Sequence, residues 1–263
     1  MNRSKELASE LYEAKATGQP IEPITSRYPD LGPADAYAIQ QEFVELLRGP
    51  SDTVVGYKLG LTSKPMQDML GVSEPDYGPV LSSMVLDDGA AMDFGELIAP
   101  KAEAEIGLVL GSSLDGPNVT RDEAAAALSG AVAAIEIVDS RIENWNIKLV
   151  DTIADLASSA MFISNIDVVP LDFDVRLCGM VIAKNGETQA TGAGAAALGD
   201  PIYAVSWLAN TLAGYGVSLE AGHVIMTGAL HAAFDVTAGD AVTAAFDRLG
   251  TVSVSFEGTA AAG

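Results

Sequence analysis

Apolar residues recur at helical spacing in two segments near the N-terminus. The first segment, residues 4–17, ends at a Gly-Gln-Pro sequence, and the second, residues 33–48, ends at a Gly-Pro pair that stops a helix. The pattern therefore predicts two helices. We interpret residues 1–52 as a small helical N-terminal region that packs on a main domain of residues 53–263.

The main domain contains many short apolar runs that are separated by turn signals, a pattern typical of strands. Residues 54–63 predict a strand that ends in a turn. A strand over residues 175–184 leads into the hairpin turn Asn185-Gly186, and three further strands are expected towards the C-terminus. No internal repeat or long linker divides this part of the sequence, so we treat it as one unit.

Three segments of the main domain carry other local signals. Residues 74–79 combine two prolines with a glycine, which predicts irregular structure. A capping box at Thr120 predicts the start of an alanine-rich helix that runs to about Ser129. The pair Asp200-Pro201 predicts the start of another helix.

Two glutamates alternate with small or apolar residues in the stretch Pro-Lys-Ala-Glu-Ala-Glu-Ile-Gly-Leu-Val-Leu of residues 100–110. This stretch predicts a strand, in which successive side chains point to opposite faces. Glu103 and Glu105 therefore share one face with Val109, roughly 7 Å apart along the strand. Two carboxylates placed in this way on a core strand would repel each other and lose hydration unless a cation lies between them.

A third carboxylate has a similar setting. Glu136 lies inside the apolar run Ala-Ala-Ile-Glu-Ile-Val of residues 133–138. Three hard oxygen ligands favour Mg²⁺ or Mn²⁺ over zinc, which prefers histidine and cysteine. The alternative is an edge strand with a solvated acidic face, but the three acids together favour a metal site.

The charge balance limits the partners of the protein. The 263 residues include 36 Asp and Glu against 14 Lys and Arg, which gives a formal net charge of −22. This excess of negative charge argues against nucleic acid and anionic membrane surfaces as partners. An anionic substrate would need local positive charge from a metal ion, a lysine or an arginine.

The content of cysteine and apolar residues bears on the location of the protein. The one cysteine, Cys178, allows no internal disulfide and is expected in the core, and no run of 18 unbroken apolar residues is present. The N-terminus has no apolar signal segment, so we expect a cytoplasmic protein.

The two histidines, His223 and His231, lack the spacing of metal ligands.

Lys58 stands in an unusual place for a basic residue. It lies between Gly56 and Gly60, which permit close backbone approach, and shortly before Thr62 and Ser63, whose hydroxyls and amides can bind an anion. The alternative interpretation is a surface lysine on a strand. Lys58, Thr62 and Ser63 are therefore candidates for a binding site.

Polar groups among apolar neighbours also fill residues 139–159, and they predict either the lining of a site or a capped loop and helix start.

The sequence lacks the motifs of two other common chemistries. The sequence contains no dinucleotide-binding Gly-x-Gly-x-x-Gly that follows a strand, and it contains no Gly-x-Ser-x-Gly nucleophile elbow.

These motifs in combination resemble those of a known family. The matching segments are Gly56 to Ser63, Glu103-x-Glu105, Glu136, Asp139-Ser140-Arg141-Ile142, Asp151-Thr152-Ile153-Ala154-Asp155, Gly222 to Leu230 and Ala238-Gly239-Asp240. Between about Ala36 and Phe256 the chain resembles the 2-hydroxypenta-2,4-dienoate (2-oxopent-4-enoate) hydratases and the related 4-oxalocrotonate decarboxylases, which belong to the fumarylacetoacetate hydrolase superfamily.

The resemblance implies an α+β fold, a mixed β-roll of the fumarylacetoacetate hydrolase C-terminal type with its helices packed outside. It also implies a homo-oligomer and a divalent metal, Mg²⁺ or Mn²⁺, held by Glu103, Glu105 and Glu136. One position departs from the family, which usually reads Asn where this chain has Leu156. Any hydrogen bond made by that Asn is absent here.

With this chemistry in view, Lys58 is the candidate for general acid/base catalysis or for an electrostatic partner of the enolate, a role that needs a lowered pKa. Asp155 is the candidate that orients Lys58 or the reacting water. The candidates for substrate binding are Thr62, Ser63, Ser159 and Gly228, of which Ser63 and Ser159 would hold the carboxylate. The substrate is expected to be a small anionic 2-oxo or 2-hydroxy acid.

Two reactions of the family fit the three acids equally well. A hydratase, a lyase of meta-cleavage catabolism of aromatic compounds, adds water to 2-hydroxypenta-2,4-dienoate and forms 4-hydroxy-2-oxopentanoate. A decarboxylase releases CO₂ from a substrate with a second carboxylate. The apolar turn Gly228-Ala229-Leu230 favours the hydratase, and a noncatalytic, metal-stabilised assembly protein is the more distant alternative.

Overall fold

The computed structural model describes residues 3–165 and 167–258. In these residues the helices are α1 Arg3–Thr17, α2 Ile24–Arg27, α3 Pro33–Leu47, α4 Lys64–Leu70, α5 Arg121–Ala127, α6 Leu149–Ala154 and α7 Pro201–Ala213. The strands are β1 Val54–Gly60, β2 Asp76–Leu81, β3 Val85–Asp87, β4 Ala90–Asp93, β5 Lys101–Leu110, β6 Leu128–Val138, β7 Ser159–Ser164, β8 Gly179–Lys184, β9 Glu187–Ala193, β10 Val224–Met226, β11 Phe234–Asp235, β12 Ala241–Phe246 and β13 Gly250–Glu257.

The strands form two sheets. The larger sheet has the order β2-β1-β10-β5-β6-β7-β3, with β11 also paired to β5, and the smaller sheet has the order β4-β13-β12-β8-β9. Most neighbouring strands are antiparallel, but β1 with β10, β3 with β7 and β4 with β13 are parallel. Mixed sheets with helices packed outside them are the predicted architecture, so the predicted α+β fold class is confirmed.

The main core is formed by residues from both sheets and from α7. Its members include Ile106 and Leu108 of β5, Ile135 of β6, Leu208 of α7 and Val242 of β12. From Gly130 onwards β6 is buried on both faces, which explains why its sequence is a continuous apolar run rather than an alternating pattern. The sheet therefore holds the centre of β5 and β6 rigidly inside the protein.

A second core joins the N-terminal helices to the larger sheet. Leu7 of α1 and Phe43 of α3 pack in one cluster with Ile153 of α6 and Phe162 of β7. The division of the chain between residues 52 and 53 stays a prediction. Residues 1–2 of the first predicted unit, and residues 166 and 259–263 of the second, lie outside the described residues.

The local turn and capping signals are confirmed. Thr120 accepts a hydrogen bond from the Glu123 amide at 3.2 Å, and Glu123 accepts one from the Thr120 amide at 2.8 Å. Asp200 caps α7 by accepting from the Ile202 amide at 3.0 Å. Asn185 and Gly186 both have positive φ, 54° and 80°, as the tight hairpin between β8 and β9 requires.

The expectation of irregular structure over residues 74–79 is wrong. Asp76 begins strand β2, which pairs antiparallel with β1 over its length. Because β2 is the edge strand of the larger sheet, Pro79 needs no amide donor towards a neighbour on its outer side. Pro79 therefore lies in an edge strand and not in a turn.

Two predicted element boundaries also change. The helix expected to reach Ser129 ends at Ala127, since β6 begins at Leu128 and pairs with β5, and tertiary pairing overrides the helix propensity of alanine. The strand expected over residues 175–184 begins only at Gly179, because Val175–Leu177 form a 3-10 turn capped by Asp174.

Candidate metal centre and active-site cavity

Three carboxylates converge in the middle of the larger sheet. Glu103 of β5 lies directly opposite Glu136 of β6 in the antiparallel register, and Glu105 lies two residues further along the same face of β5. One oxygen atom from each of the three side chains lies within 4.8 Å of the other two. Like charges directly opposite each other destabilise a sheet, so this arrangement calls for a cation.

The hydrogen bonds of these carboxylates leave ligand atoms available. The Gly228 amide donates to Glu105 Oε2 at 2.9 Å, and the Ser159 hydroxyl donates to Glu136 Oε1 at 2.8 Å. Glu105 Oε1 and Glu136 Oε2 are buried without a hydrogen-bond partner among the described residues. Buried carboxylate oxygens without partners are costly, and a hard divalent cation would satisfy them.

The pKa values of the glutamates also indicate a cation site. Burial, together with the charges of Glu136 and Glu103, raises the pKa of Glu105 well above its ordinary value. Burial and the charge of Glu136 raise the pKa of Glu103 to about 7. The sheet therefore holds these carboxylates where their ionised forms are unfavourable without a cation, and the three residues fit a divalent metal ion.

Lys58 is part of this cluster rather than a surface lysine. Its side chain is buried, and its Nζ atom lies 3.2 Å from Glu136 Oε1 and donates to the Ala157 carbonyl at 2.9 Å. Burial alone lowers the pKa of Lys58, but the carboxylates of Glu136, Asp76 and their neighbours outweigh it and raise the pKa above its ordinary value. This direction is that of the metal-free cluster, and a divalent cation bound at the glutamates would oppose it. The lowered pKa expected for Lys58 stays a prediction.

A strained turn presents the carbonyl that Lys58 contacts. Leu156, Ala157 and Ser158 have φ values of 56°, 50° and 55°, three consecutive residues in the left-handed region. L-amino acids enter this region at a cost of roughly 1–2 kcal/mol each, and such strain is concentrated at functional sites. Leu156 is buried in the second core, and this packing holds the turn in place.

Asp155 precedes that turn and binds Arg141. Arg141 donates from Nε to Asp155 Oδ1 at 2.5 Å and from its amide to Oδ2 at 3.0 Å, and the Ser140 hydroxyl donates to Oδ2 at 3.2 Å. Burial raises the pKa of Asp155 to about 6, and Arg141 opposes this shift. Asp155 directly precedes the turn whose Ala157 carbonyl accepts from Lys58, and the described contacts do not join the side chains of Asp155 and Lys58 directly.

A cavity of about 610 Å³ opens beside Lys58 and Glu103. Its polar lining consists of Lys58, Thr62, Ser63, Asp76, Lys101, Glu103, Thr152, Ser158 and His231. Apolar residues line the rest, among them Leu61, Met66, Ile147 and Leu230. A second cavity of about 520 Å³ lies beside the N-terminal helices, and none of the three glutamates lines it.

Of the predicted substrate-binding residues, Thr62 and Ser63 line the cavity. Gly228 contributes its amide to Glu105, and a Cβ atom at this glycine would lie 1.9 Å from Thr62 Oγ1. Its φ of 107° also favours glycine. Gly228 therefore permits the close approach of Thr62 to the segment that follows β10.

The two serines at the start of β7 have different surroundings. Ser159 is buried and bonds to Glu136, outside the cavity lining. Ser158, which the sequence analysis did not single out, lines the cavity, and its buried hydroxyl has no hydrogen-bond partner in the described structure. Ser158 is the last residue of the left-handed turn and Ser159 is the first of β7, and no local sequence signal reveals this difference.

Asp76 is the other residue that the sequence analysis missed. It lies opposite Gly60 in the register of β1 and β2, and a Cβ atom at Gly60 would lie 2.2 Å from Asp76 Oδ1. Asp76 lines the cavity, and both of its carboxylate oxygens are buried without a described partner. Burial raises the pKa of Asp76, and Lys58 opposes this shift. The pairing of β2 with β1 is what brings Asp76 to the cavity.

Comparison with known proteins identifies a matching family model and similar enzymes. The family model described as the fumarylacetoacetate (FAA) hydrolase C-terminal domain matches residues 82–257. A 2-keto-4-pentenoate hydratase of Paraburkholderia xenovorans is 42% identical over 254 residues, which are 96% of this chain and 94% of that protein. A 2-hydroxyhexa-2,4-dienoate hydratase of Comamonas testosteroni is 41% identical over 249 residues, 94% of each chain.

A solved structure shows the same fold. The 4-oxalocrotonate decarboxylase of Pseudomonas putida, complexed with magnesium and adipate, superposes with a TM-score of 0.93 at 37% identity over 97% of each chain. The chain therefore belongs to the fumarylacetoacetate hydrolase family, and the resemblance inferred from its motifs is confirmed. Within the described residues, no helix has the length and apolar character needed to cross a membrane.

Proposed function

We propose that the protein is a divalent-metal-dependent hydratase that adds water to 2-hydroxypenta-2,4-dienoate and forms 4-hydroxy-2-oxopentanoate. The observation that carries this proposal is the convergence of three carboxylates beside a cavity that also contains Lys58 and Asp76. Relatives named as hydratases of short 2-keto or 2-hydroxy acids, similar over nearly the whole chain, support it.

In this proposal Glu103, Glu105 and Glu136 hold the metal ion, Mg²⁺ or Mn²⁺. Their oxygen-only donor set suits either ion, and the orphaned oxygens of Glu105 and Glu136 support the assignment. When bound, the ion supplies Lewis-acid stabilisation of the negative charge on the substrate carboxylate and C2 oxygen. Magnesium in the related decarboxylase structure supports a divalent cation here.

Lys58 would act as a proton donor and as the electrostatic partner of the negative charge that develops on the substrate oxygen. The contact of Lys58 with Glu136 and its place in the cavity lining support this role. Asp76 is the candidate to carry a proton, because burial raises its pKa and the residue lines the cavity beside Lys58. Asp155 would position Lys58 through the turn that contains Ala157.

Hydroxyl groups in the cavity lining would bind the substrate and the reacting water. Thr62, Ser63 and Ser158 all line the cavity. Ser159 and Gly228 would serve the site through Glu136 and Glu105, to which they donate hydrogen bonds. This division of roles supports Ser158 rather than Ser159 as the direct contact to the substrate.

A second candidate function is decarboxylation of 4-oxalocrotonate, that is, of 2-oxo-3-hexenedioate. The similarity to the 4-oxalocrotonate decarboxylase favours it, at a TM-score of 0.93. The apolar residues Ala229 and Leu230 in the cavity lining favour the hydratase, because they suit a substrate whose remote end is uncharged. We therefore rank the hydratase first.

The experiment that separates the two functions follows the dienol absorbance of purified protein with Mg²⁺, together with product analysis. Hydration consumes the dienol and releases no CO₂, whereas decarboxylation of the dicarboxylate forms a dienol and releases CO₂. We expect consumption of the dienol at the higher catalytic efficiency. Decarboxylation at the higher efficiency would reverse the ranking, and inactivity of the metal-loaded protein on both substrates would favour an assembly protein.

The biological setting belongs to the same proposal. We propose a role in the catabolism of aromatic compounds, in the cytoplasm, as a homo-oligomer. The lone Cys178, which allows no internal disulfide, supports the location. Light scattering of the purified protein at several concentrations tests the oligomeric state.

A further inference from the structure

Among the residues described as lining the cavity, Lys58 and Lys101 are the basic ones that carry a permanent charge. The charge of Lys58 is already paired with the acidic cluster, because its ammonium group contacts Glu136. Lys101 lies two residues before Glu103 on β5, so its side chain leaves the same face of the strand, roughly 7 Å from Glu103. A five- or six-carbon acid is roughly 6 Å long, so an acid that binds at the glutamates and lies along β5 ends near Lys101.

Lys101 is held in place at the rim of the cavity. Its Nζ atom lies 2.5 Å from Asp235 Oδ1, and Asp235 is its partner in the register of β11 and β5. The ammonium group also lies 5.4 Å from the ring centroid of Trp145, which in turn donates from Nε1 to the Ala99 carbonyl at 3.0 Å. The Lys101 side chain is 26% exposed and that of Asp235 is 78% exposed.

His231 does not provide a competing charge. Its Nε2 accepts a hydrogen bond from the Ala104 amide at 2.9 Å, so the ring proton resides on Nδ1, which donates to the Ala232 carbonyl at 2.7 Å. Burial also lowers the pKa of His231. The imidazole is therefore neutral, and Lys101 is the cation available to the remote end of a ligand.

We propose that Lys101 faces the end of the substrate remote from the metal-binding glutamates, and that Asp235 neutralises it. The pair thereby determines the preference of the enzyme between substrates with an uncharged remote end and substrates with a second carboxylate. This inference rests on the proposed function, because it names the specificity-determining pair of that same cavity.

The direction of the effect follows from charge. While Asp235 is ionised, a second carboxylate meets an ion pair that is already satisfied, in a protein with a formal net charge of −22. An uncharged chain end meets no such repulsion. Removal of the Asp235 charge frees Lys101 to bind a carboxylate, so the preference shifts towards dicarboxylates. Because Asp235 is largely exposed and its charge is screened, a shift of about two- to fivefold is expected.

The test uses calorimetric binding of two unreactive acids to the Mg²⁺-loaded protein. One is 2-oxohexanoate, and the other is 2-oxohexanedioate, which has the same carbon chain and a second carboxylate. We expect Asp235→Asn to shift the ratio of the two dissociation constants about two- to fivefold towards the dicarboxylate. The double variant Lys101→Met/Asp235→Asn should lose this shift. An unchanged ratio in Asp235→Asn, or a shift that persists in the double variant, would overturn the proposal.

A matched control separates local charge from net charge. Asp172→Asn removes one negative charge from an exposed pair with Arg248 outside the cavity lining, and it should leave the ratio unchanged. An equal shift in Asp172→Asn would contradict the proposal. The backbone pairing of β11 with β5 does not use the Asp235 side chain, so the fold of that variant is expected to persist. The binding ratio does not depend on turnover, so inactivity of the wild type would refute the proposed function and leave this test decisive.

Discussion

The ammonium nitrogen of Lys58 lies 2.9 Å from the carbonyl oxygen of Ala157, the central residue of a left-handed turn. The two residues are 99 positions apart in the chain, and the bond is buried. Lys58 also contacts Glu136 at 3.2 Å. A strained backbone segment thus orients the cation that contacts the carboxylates of the candidate metal centre.

Replacement of Ala157 by glycine tests the strain in this turn. Glycine enters the left-handed region without steric cost, so Ala157→Gly should leave the free energy of unfolding unchanged or raise it by up to about 1 kcal/mol. Denaturant unfolding measures this change. The control is Ala126→Gly at an exposed position of helix α5, where the same replacement should destabilise the protein by about 1 kcal/mol. Equal destabilisation by both variants would show that residue 157 is not strained.

Replacement of Glu105 by glutamine tests the metal centre. Glu105→Gln should abolish turnover and weaken metal binding, because it removes an ionised ligand, and it should retain the fold because it removes repulsion among buried carboxylates. Calorimetric titration with Mg²⁺ and Mn²⁺ checks the affinity, and a thermal scan checks the fold. The exposed Glu187→Gln on β9 is the control. Unchanged metal affinity in Glu105→Gln would rule out the assignment.

The stability of the metal-free protein should fall as pH rises from about 4.5 to about 7. The folded-state pKa of Glu103 is about 7 against an ordinary value of 4.5, so its contribution to stability is present below the lower value and is lost as pH passes the higher one. The loss is on the order of 3 kcal/mol. The measurement is the Tm at pH 5 and pH 8, with a chelator and with excess Mg²⁺.

Excess Mg²⁺ should remove most of this slope, because the metal binds the ionised carboxylates. A smaller slope of the same sign should remain from Asp155, whose pKa of about 6 is also above its ordinary value. A metal-free protein that becomes more stable between pH 5 and pH 8, or a slope that Mg²⁺ does not alter, would contradict this account of the glutamate cluster.

Replacement of Lys58 by methionine tests its catalytic role. A general acid contributes about 10²- to 10⁴-fold in rate, so Lys58→Met should fold, retain its metal at saturating Mg²⁺ and lose most of kcat. The control Lys64→Met changes an exposed lysine paired with Asp68 and should alter stability by only about 0.5 kcal/mol and leave kcat unchanged. If Lys58→Met keeps more than about a tenth of kcat, the catalytic role is wrong.

Replacement of Asp76 by asparagine distinguishes a catalytic from a structural carboxylate. Both oxygens of Asp76 are buried without a described partner, so Asp76→Asn removes a buried charge and should not destabilise the fold. A group that carries a proton in the reaction should cost about 10²-fold or more in kcat when it is lost. The exposed Asp68→Asn serves as the control. Loss of stability with kcat preserved would assign Asp76 a structural role instead.

The sequence alone determined the features that depend on neighbouring residues. The pleat of one strand puts Glu103 and Glu105 on the same face wherever that strand lies, and a capping box at Thr120 begins a helix through contacts within one turn. The apolar setting of Glu136 marked it as a third acid in the core. These inferences succeed because the interactions involved span only a few residues.

Only the tertiary structure decided which distant residues meet. The register that puts Glu136 opposite Glu103, and the edge strand that brings Asp76 into the cavity, depend on pairings between segments far apart in sequence. The left-handed turn that presents Ser158 and the Ala157 carbonyl has no local signal, because leucine, alanine and serine do not favour positive φ. Packing of the whole fold holds that conformation, so no short stretch of sequence could predict it.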